Sequence, residues 1–332
     1  MTISSLTERD LVARIQSRLP PAPSWLAVGI GDDAAVVEPE RNRLDVLTVD
    51  ASVEGIHFDR RWSPPGAIGH RALAVNLSDL AAMGAAPRSA LLSLVLPTAL
   101  PCDEFDGIID GIATLAAAHH VHVIGGNLTR SPGPLMLDIT AIGTVKRRQT
   151  LVRSGAMPGD EIYVTGTIGA AGAGLQMLQQ ATAPLDAATN PCVQRYLYPV
   201  PRVRAGMIVA RNRAASACID LSDGFADGIQ RVTTASGVGA TIDFTTIPFE
   251  PAALAWTDTD AHNPGTSLLT LGDDYELLFT VTPRARRRFL AAARAAGVTV
   301  TRVGVCTKER DLQFVNAPAE TATFPEGFSH FR

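Results

Sequence analysis

Short apolar runs alternate with longer helical patterns through the first half of the chain. Residues 44–49, 90–96, 121–124 and 135–145 are rich in Val, Ile and Leu and predict β-strands. Residues 66–83 and 103–118 carry apolar positions at helical spacing, and Ile68, Ala72, Leu80 and Met83 would form the buried stripe of the first helix. Ser63 followed by Pro64 predicts that helix's start, because a hydroxyl can accept from the free N–H groups there and proline lacks only a bond that would go unmade. Over residues 150–160 the pattern turns polar and glycine-rich, in Arg153-Ser154-Gly155-Ala156-Met157-Pro158-Gly159-Asp160, and a domain boundary is expected just before that stretch. Beyond it, strands are expected at 161–165, ending at Asp220, and at 240–244, 275–281 and 299–305. Helices are expected near 170–180, 201–213, 225–235 and 283–296, with surface loops at 181–191 and 257–267.

The reading is two α/β domains, residues 1–149 and 150–332. A chain of 332 residues fits that division, since single cores stop growing beyond roughly 250–300 residues. The net charge of −4 gives no basic excess of the kind that tracks nucleic acid or an anionic membrane, so neither is an expected partner. Cys102, Cys192, Cys218 and Cys306 form no CxxC pair and read as reduced, buried thiols. No apolar run reaches bilayer-spanning length and the first ten residues have no apolar core, which points to a cytoplasmic protein.

Candidate chemistry concentrates where apolar runs end: Gly31-Asp32-Asp33, Thr48-Val49-Asp50, Ile219-Asp220-Leu221-Ser222-Asp223-Gly224 and Gly272-Asp273-Asp274. One such pair is ordinary turn or cap chemistry. Four of them suggest carboxylates in the crevice beyond strand ends, where hard divalent cations and phosphates are held. Asp79 strengthens this, because a carboxylate inside an otherwise apolar helix needs a partner. Gly125-Gly126-Asn127-Leu128-Thr129-Arg130 follows a strand and offers backbone N–H groups to a phosphate. Gly166-Thr167-Ile168-Gly169 opens a helix but lacks GxGxxG spacing, and reads first as a tight connection and only second as a phosphate contact. A P-loop, a GxSxG elbow and an HExxH helix are all missing from the sequence. His119, His120 and His122 cannot all converge, because residues of a strand start alternate in direction.

These residues together give a chain that resembles the thiamine-monophosphate kinase family, within the superfamily of aminoimidazole ribonucleotide synthetase and selenophosphate synthetase. The resemblance runs nearly end to end through 29–36, 54–58, 74–85, Arg153-Ser154-Gly155, 219–224 and Asp274-Tyr275-Glu276-Leu277. It implies the two-domain aminoimidazole ribonucleotide synthetase-like fold, of α+β type, in a homodimer whose N-terminal sheets pair across subunits, with the active site in a cleft between the domains. It further implies direct Mg²⁺-dependent transfer of the ATP γ-phosphoryl to thiamine monophosphate, with several Mg²⁺ ions and no phosphoenzyme. By motif position the resemblance makes Asp33, Thr48, Val49 (through its carbonyl), Asp50, Asp79, Asn127, Asp220 and Asp223 metal ligands. It makes His119, Gly126, Arg153 and Ser222 ATP contacts, and His57, Asp273 and Phe328 substrate contacts.

Four positions depart from the family pattern: Val49 for Thr, Asn127 for Asp, His119 for Tyr and Asp273 for Glu. The first two weaken the implied inner shell of the metal, and the last two alter the nucleotide and substrate contacts. Another ATP-dependent synthetase of the superfamily and a catalytically silent nucleotide-binding dimer are the competing readings. The first lacks support in an N-terminal Cys-Lys segment or glycine-rich loop, and the second rests on Val49 and Asn127 alone.

Overall fold

The computed structural model describes residues 1–183, 185–257, 264–318 and 324–325. Phe328 lies outside the described residues. The chain divides into two compact units, residues 1–80 with 86–147, and residues 81–85 with 148–332.

The first unit opens with α1 (Glu8–Gln16) and a two-stranded ribbon of β1 (Leu26–Val28) and β2 (Val36–Val37). It continues with β3 (Arg43–Val53), α2 (Pro65–Ala82), β4 (Ala86–Pro97), α3 (Cys102–Ala118), β5 (His122–Ser131) and β6 (Met136–Lys146). The last four strands form one sheet in the order β3-β6-β4-β5, antiparallel except for the β4/β5 pair, which α3 joins as a crossover. Strand β6 alternates as a half-buried strand must: Leu137, Ile139 and Ala141 are buried, whereas Asp138, Thr140 and Ile142 are partly exposed. Leu73, Leu77 and Leu80 of α2 and Phe105, Ile109 and Ile112 of α3 are buried with them. The two helices approach closely at Gly69, where an added Cβ would lie 1.9 Å from the Ile108 carbonyl oxygen.

The second unit builds a sheet in the order β12-β9-β11-β7-β10-β8 from β7 (Glu161–Thr165), β8 (Ala217–Asp220), β9 (Gly239–Asp243), β10 (Leu277–Val281), β11 (Val300–Thr307) and β12 (Leu312–Val315). Every residue of β7 and β10 is buried, so these central strands read as continuous rather than alternating runs. Helices α4 (Ala170–Gln180), α5 (Pro191–Leu197), α6 (Val203–Arg211), α7 (Phe225–Ser236), α8 (Pro251–Thr257), α9 (Pro264–Leu268) and α10 (Arg286–Ala296) complete the unit. Ile219, Phe225, Ile229, Ile242, Leu278 and Val303 belong to its main apolar cluster.

Four expectations change. The strand expected at 121–124 runs on to Ser131, so Gly125 to Arg130 lie within β5 instead of following it. Pro64 rather than Ser63 starts α2: its carbonyl accepts from Ala67 and Ile68, and Ser63 Oγ is buried without a hydrogen-bond partner. Helix α5 arises where no helix is expected, because Asn190 caps it through bonds from the Cys192 and Val193 N–H groups. Helices α8 and α9 occupy part of the stretch read as a loop around 257–267. All four cysteines are free and buried, as expected, and burial pushes the Cys192 and Cys306 thiols up to about 11 and about 12. Among the described residues no helix is long and apolar enough to cross a membrane.

Candidate active site

The period of two along β3 sends Thr48 and Asp50 to one side of the sheet and Val49 to the other. Thr48 Oγ1 donates a short hydrogen bond to Asp79 Oδ2 of α2, which answers the demand of a carboxylate in an apolar helix. Val49 is 59% exposed, so its side chain takes no part in this cluster. Burial raises the Asp50 carboxyl to about 6, and the charges of Asp79 and Asp138 push in the same direction. Asp138 is a residue the sequence analysis does not single out. Its signal is the one that marks Asp79, a carboxylate amid apolar neighbours.

A cavity of about 1130 Å³ lies beside the same sheet. Asp32, Asp33, Gly126, Asn127 and Asp138 line it, and Thr48, Asp50 and Asp79 do not. Thr48, Asp50 and Asp79 on the one hand and the cavity-lining residues on the other thus form two groups on opposite faces of the sheet: the register sets Asp50 beside Ile139 and Asp138 beside Ala51, so Asp138 lines the cavity and acts on Asp50 only through its charge. Gly126 is required by packing: its φ is +157° and an added Cβ would lie 1.9 Å from the Leu92 carbonyl oxygen of the adjacent strand.

His57 sits in the turn after β3, where its Nδ1 accepts from the Val53 N–H at 3.1 Å. His119 ends α3, and burial with the neighbouring His70 and His120 holds it below the ordinary histidine range, so it is a neutral hydrogen-bonding group near pH 7. The ring of His122 meets Trp25 edge-on at 5.5 Å.

In the second unit Asp220 ends β8, and Leu221 to Gly224 turn the chain into α7. The Ser222 carbonyl accepts from the Asp273 N–H at 2.7 Å, which brings the two acidic loops together. Asp223 pairs with Arg231 at 3.1 Å. Asp273 has φ +72° and its Oδ1 accepts from the Tyr275 hydroxyl at 3.0 Å. Arg153 lies exposed in the segment before β7.

The remaining motif residues are structural. Asp274 is buried and accepts from the Gly169 and Ala171 N–H groups, so a carboxylate of the chain already fills the N-terminus of α4 and the second reading of residues 166–169, as a phosphate contact, does not hold. Burial raises Asp274 to about 7 against those two favourable bonds. Glu276, fully buried, is bound by Arg195, Arg202 and the Thr165 hydroxyl.

Among the described residues no three His, Cys, Asp or Glu side chains are gathered into a ready-made metal cage. The Mg²⁺ ion that the resemblance implies takes oxygen ligands, commonly carboxylates together with waters and substrate phosphates. The donors present fit such an ion: they are oxygen ligands, Asp138 Oδ1 is buried without a hydrogen-bond partner, and Asp50 is stressed by two like charges.

Two α/β units, the first with Asp50 inside β3 and Asp79 in α2 and the second with Asp220 at the end of β8, set the fold class that the comparisons also give. Residues 31–145 match the AIR synthase related protein N-terminal domain and residues 157–315 the corresponding C-terminal domain. The chain belongs to the AIR synthase related protein family and, within it, to the group of the thiamine-monophosphate kinases. It is 37% identical to the thiamine-monophosphate kinase of Salmonella typhimurium, over 98% of each chain. The crystal structure of the Stenotrophomonas maltophilia thiamine-monophosphate kinase is similar with a TM-score of 0.82 and 37% identity, over 93% of this chain and 96% of that one. A structure described as AaThiL complexed with AMPPCP and TMP is similar with a TM-score of 0.77 and 28% identity, over 100% and 99% of the two chains.

Proposed function

We infer that this chain transfers the γ-phosphoryl group of ATP to the phosphate of thiamine monophosphate, giving thiamine diphosphate and ADP. The observation that carries the reading is the joining of Thr48, Asp50 and Asp79 into one oxygen-donor cluster, in a chain that matches thiamine-monophosphate kinases over nearly its whole length.

Two anionic phosphates repel each other, so the reaction depends on neutralising and aligning them. Mg²⁺, when bound, would supply that neutralisation. Asp33, Asp50 and Asp79, with the Thr48 hydroxyl and the Val49 carbonyl, are the residues of the first unit proposed to hold it, and Asp220 and Asp223 are proposed for the same role. Asn127 offers an uncharged oxygen there. Arg153, Ser222, Gly126 and neutral His119 are proposed to orient ATP, and His57 and Asp273 to orient thiamine monophosphate. No general base is needed, because the attacking phosphate oxygen already carries negative charge.

The homodimer is proposed on the apolar surface of β3, an edge strand of its sheet, where Leu47 is 66% and Val49 59% exposed. The test of the reaction is thiamine diphosphate formation from Mg²⁺-ATP with thiamine monophosphate, free thiamine or no acceptor. Product with the monophosphate alone supports the reading, and ATP binding without product contradicts it.

A further inference from the structure

Asp138 occupies a strand whose adjacent residues Leu137 and Ile139 are fully buried, yet it faces the large cavity together with Thr140. Its Oδ1 is buried without a hydrogen-bond partner. A carboxylate oxygen in that condition is costly unless a cation or ordered water answers it. The β-register shows where the demand falls. Asp138 on β6 pairs with Ser93 on β4, and Ser93 pairs with Asn127 on β5, so the three side chains form one row on the same face of the sheet. All three line the cavity, as do Asp32 and Asp33. Two strand spacings of about 4.8 Å place the Cα atoms of Asp138 and Asn127 roughly 10 Å apart. A divalent ion with oxygen ligands at about 2.1 Å, still carrying some of its water, fits across that gap.

We propose that Asp138 is a cation-directed carboxylate that supplies, from β6, the negative charge that the amide of Asn127 does not supply from β5. The proposal rests on the phosphotransferase reading for the identity of the ion as Mg²⁺. It adds a residue of this chain that the family motifs do not point to. It also gives the Asn127 departure a different meaning: the row keeps one carboxylate, moved two strands across the sheet.

The test uses the full chain and Mn²⁺ alone as the probe, with bound ion followed by loss of the free-ion electron paramagnetic resonance signal. Asp138→Asn weakens Mn²⁺ binding by roughly tenfold or more. Combining Asp138→Asn with Asn127→Asp restores affinity to within about threefold of the starting protein, because the charge is returned to the same row. Thermal unfolding separates this role from a packing role. Removing a charge that opposes Asp50 leaves the metal-free midpoint of Asp138→Asn unchanged or raised, while the rise caused by Mg²⁺ shrinks. Unchanged Mn²⁺ affinity in Asp138→Asn overturns the proposal, and so does a loss that the double variant fails to restore. Thiamine diphosphate formation by the unsubstituted protein is measured alongside. Its presence with unaltered Mn²⁺ binding in Asp138→Asn removes this inference alone, and its absence removes the kinase reading.

Discussion

Burial, with the charges of Asp79 and Asp138 beside it, raises the Asp50 carboxyl to about 6. Asp50→Asn and Asp79→Asn are each expected to lower turnover roughly 100-fold or more, because each removes charge that several kcal/mol of phosphoryl-transfer stabilisation depends on. Circular dichroism of both variants is expected to match the parent; loss of folded signal would assign these residues to the scaffold instead. Asp274 makes a separate prediction about pH. Its folded value of about 7 stands above the ordinary 3.8, so the fold favours the protonated acid. The stability it contributes is complete below about pH 4 and is lost as pH rises through about 7, a change on the order of 4 kcal/mol. Urea unfolding across pH 4 to 8 should show that decline, and Asp274→Asn should flatten it; an unaltered slope would place the titration elsewhere. The sequence makes Asp50 and Asp79 legible because one ends an apolar run and the other interrupts an apolar helix. Asp138 interrupts a strand in the same way, but only the register reveals that it shares a row with Asn127.

At the scale of elements, close approaches and buried ion pairs decide what tolerates change. Gly69→Ala sets a Cβ 1.9 Å from the Ile108 carbonyl oxygen, a contact that α2 and α3 can relieve only by moving apart. The expected cost is about 1–3 kcal/mol, as for overpacking elsewhere, read as a lower denaturation midpoint. An unchanged midpoint would mean that the helices separate freely. Glu276 ties β10 to α5 through Arg195, to the turn before α6 through Arg202 and to β7 through Thr165. Arg202→Met leaves a fully buried carboxylate short of one partner, with an expected loss of about 3 kcal/mol. A variant as stable as the parent would show that Arg195 alone satisfies the carboxylate. The periodicities of β3, β6, α2 and α3 are readable in sequence because one face of each is buried. The small ribbon of β1 and β2 and the short helices α5, α8 and α9 are not, since they are too brief for a period to develop. Gly125 to Arg130 reads as a segment after the strand, while the structure carries β5 through it.

For the whole molecule, the two α/β units are legible in the alternation of strands and helices. The grouping of residues 81–85 with the second unit is not, because it depends on packing rather than on local pattern. The apolar surface of β3 sets the expectation for assembly. Sedimentation velocity should find a dimer, and Leu47→Lys, placing a charge at a position 66% exposed in the single chain, should dissociate it. A monomeric parent protein would remove that surface as an interface. The central claim concerns the reaction, and it is tested most directly by mixing the purified chain with Mg²⁺-ATP and thiamine monophosphate and quantifying thiamine diphosphate against ADP. The acidic cluster and the family membership predict one thiamine diphosphate for each ADP, with none from free thiamine. ADP release without thiamine diphosphate, or nucleotide binding with no turnover at all, would contradict it.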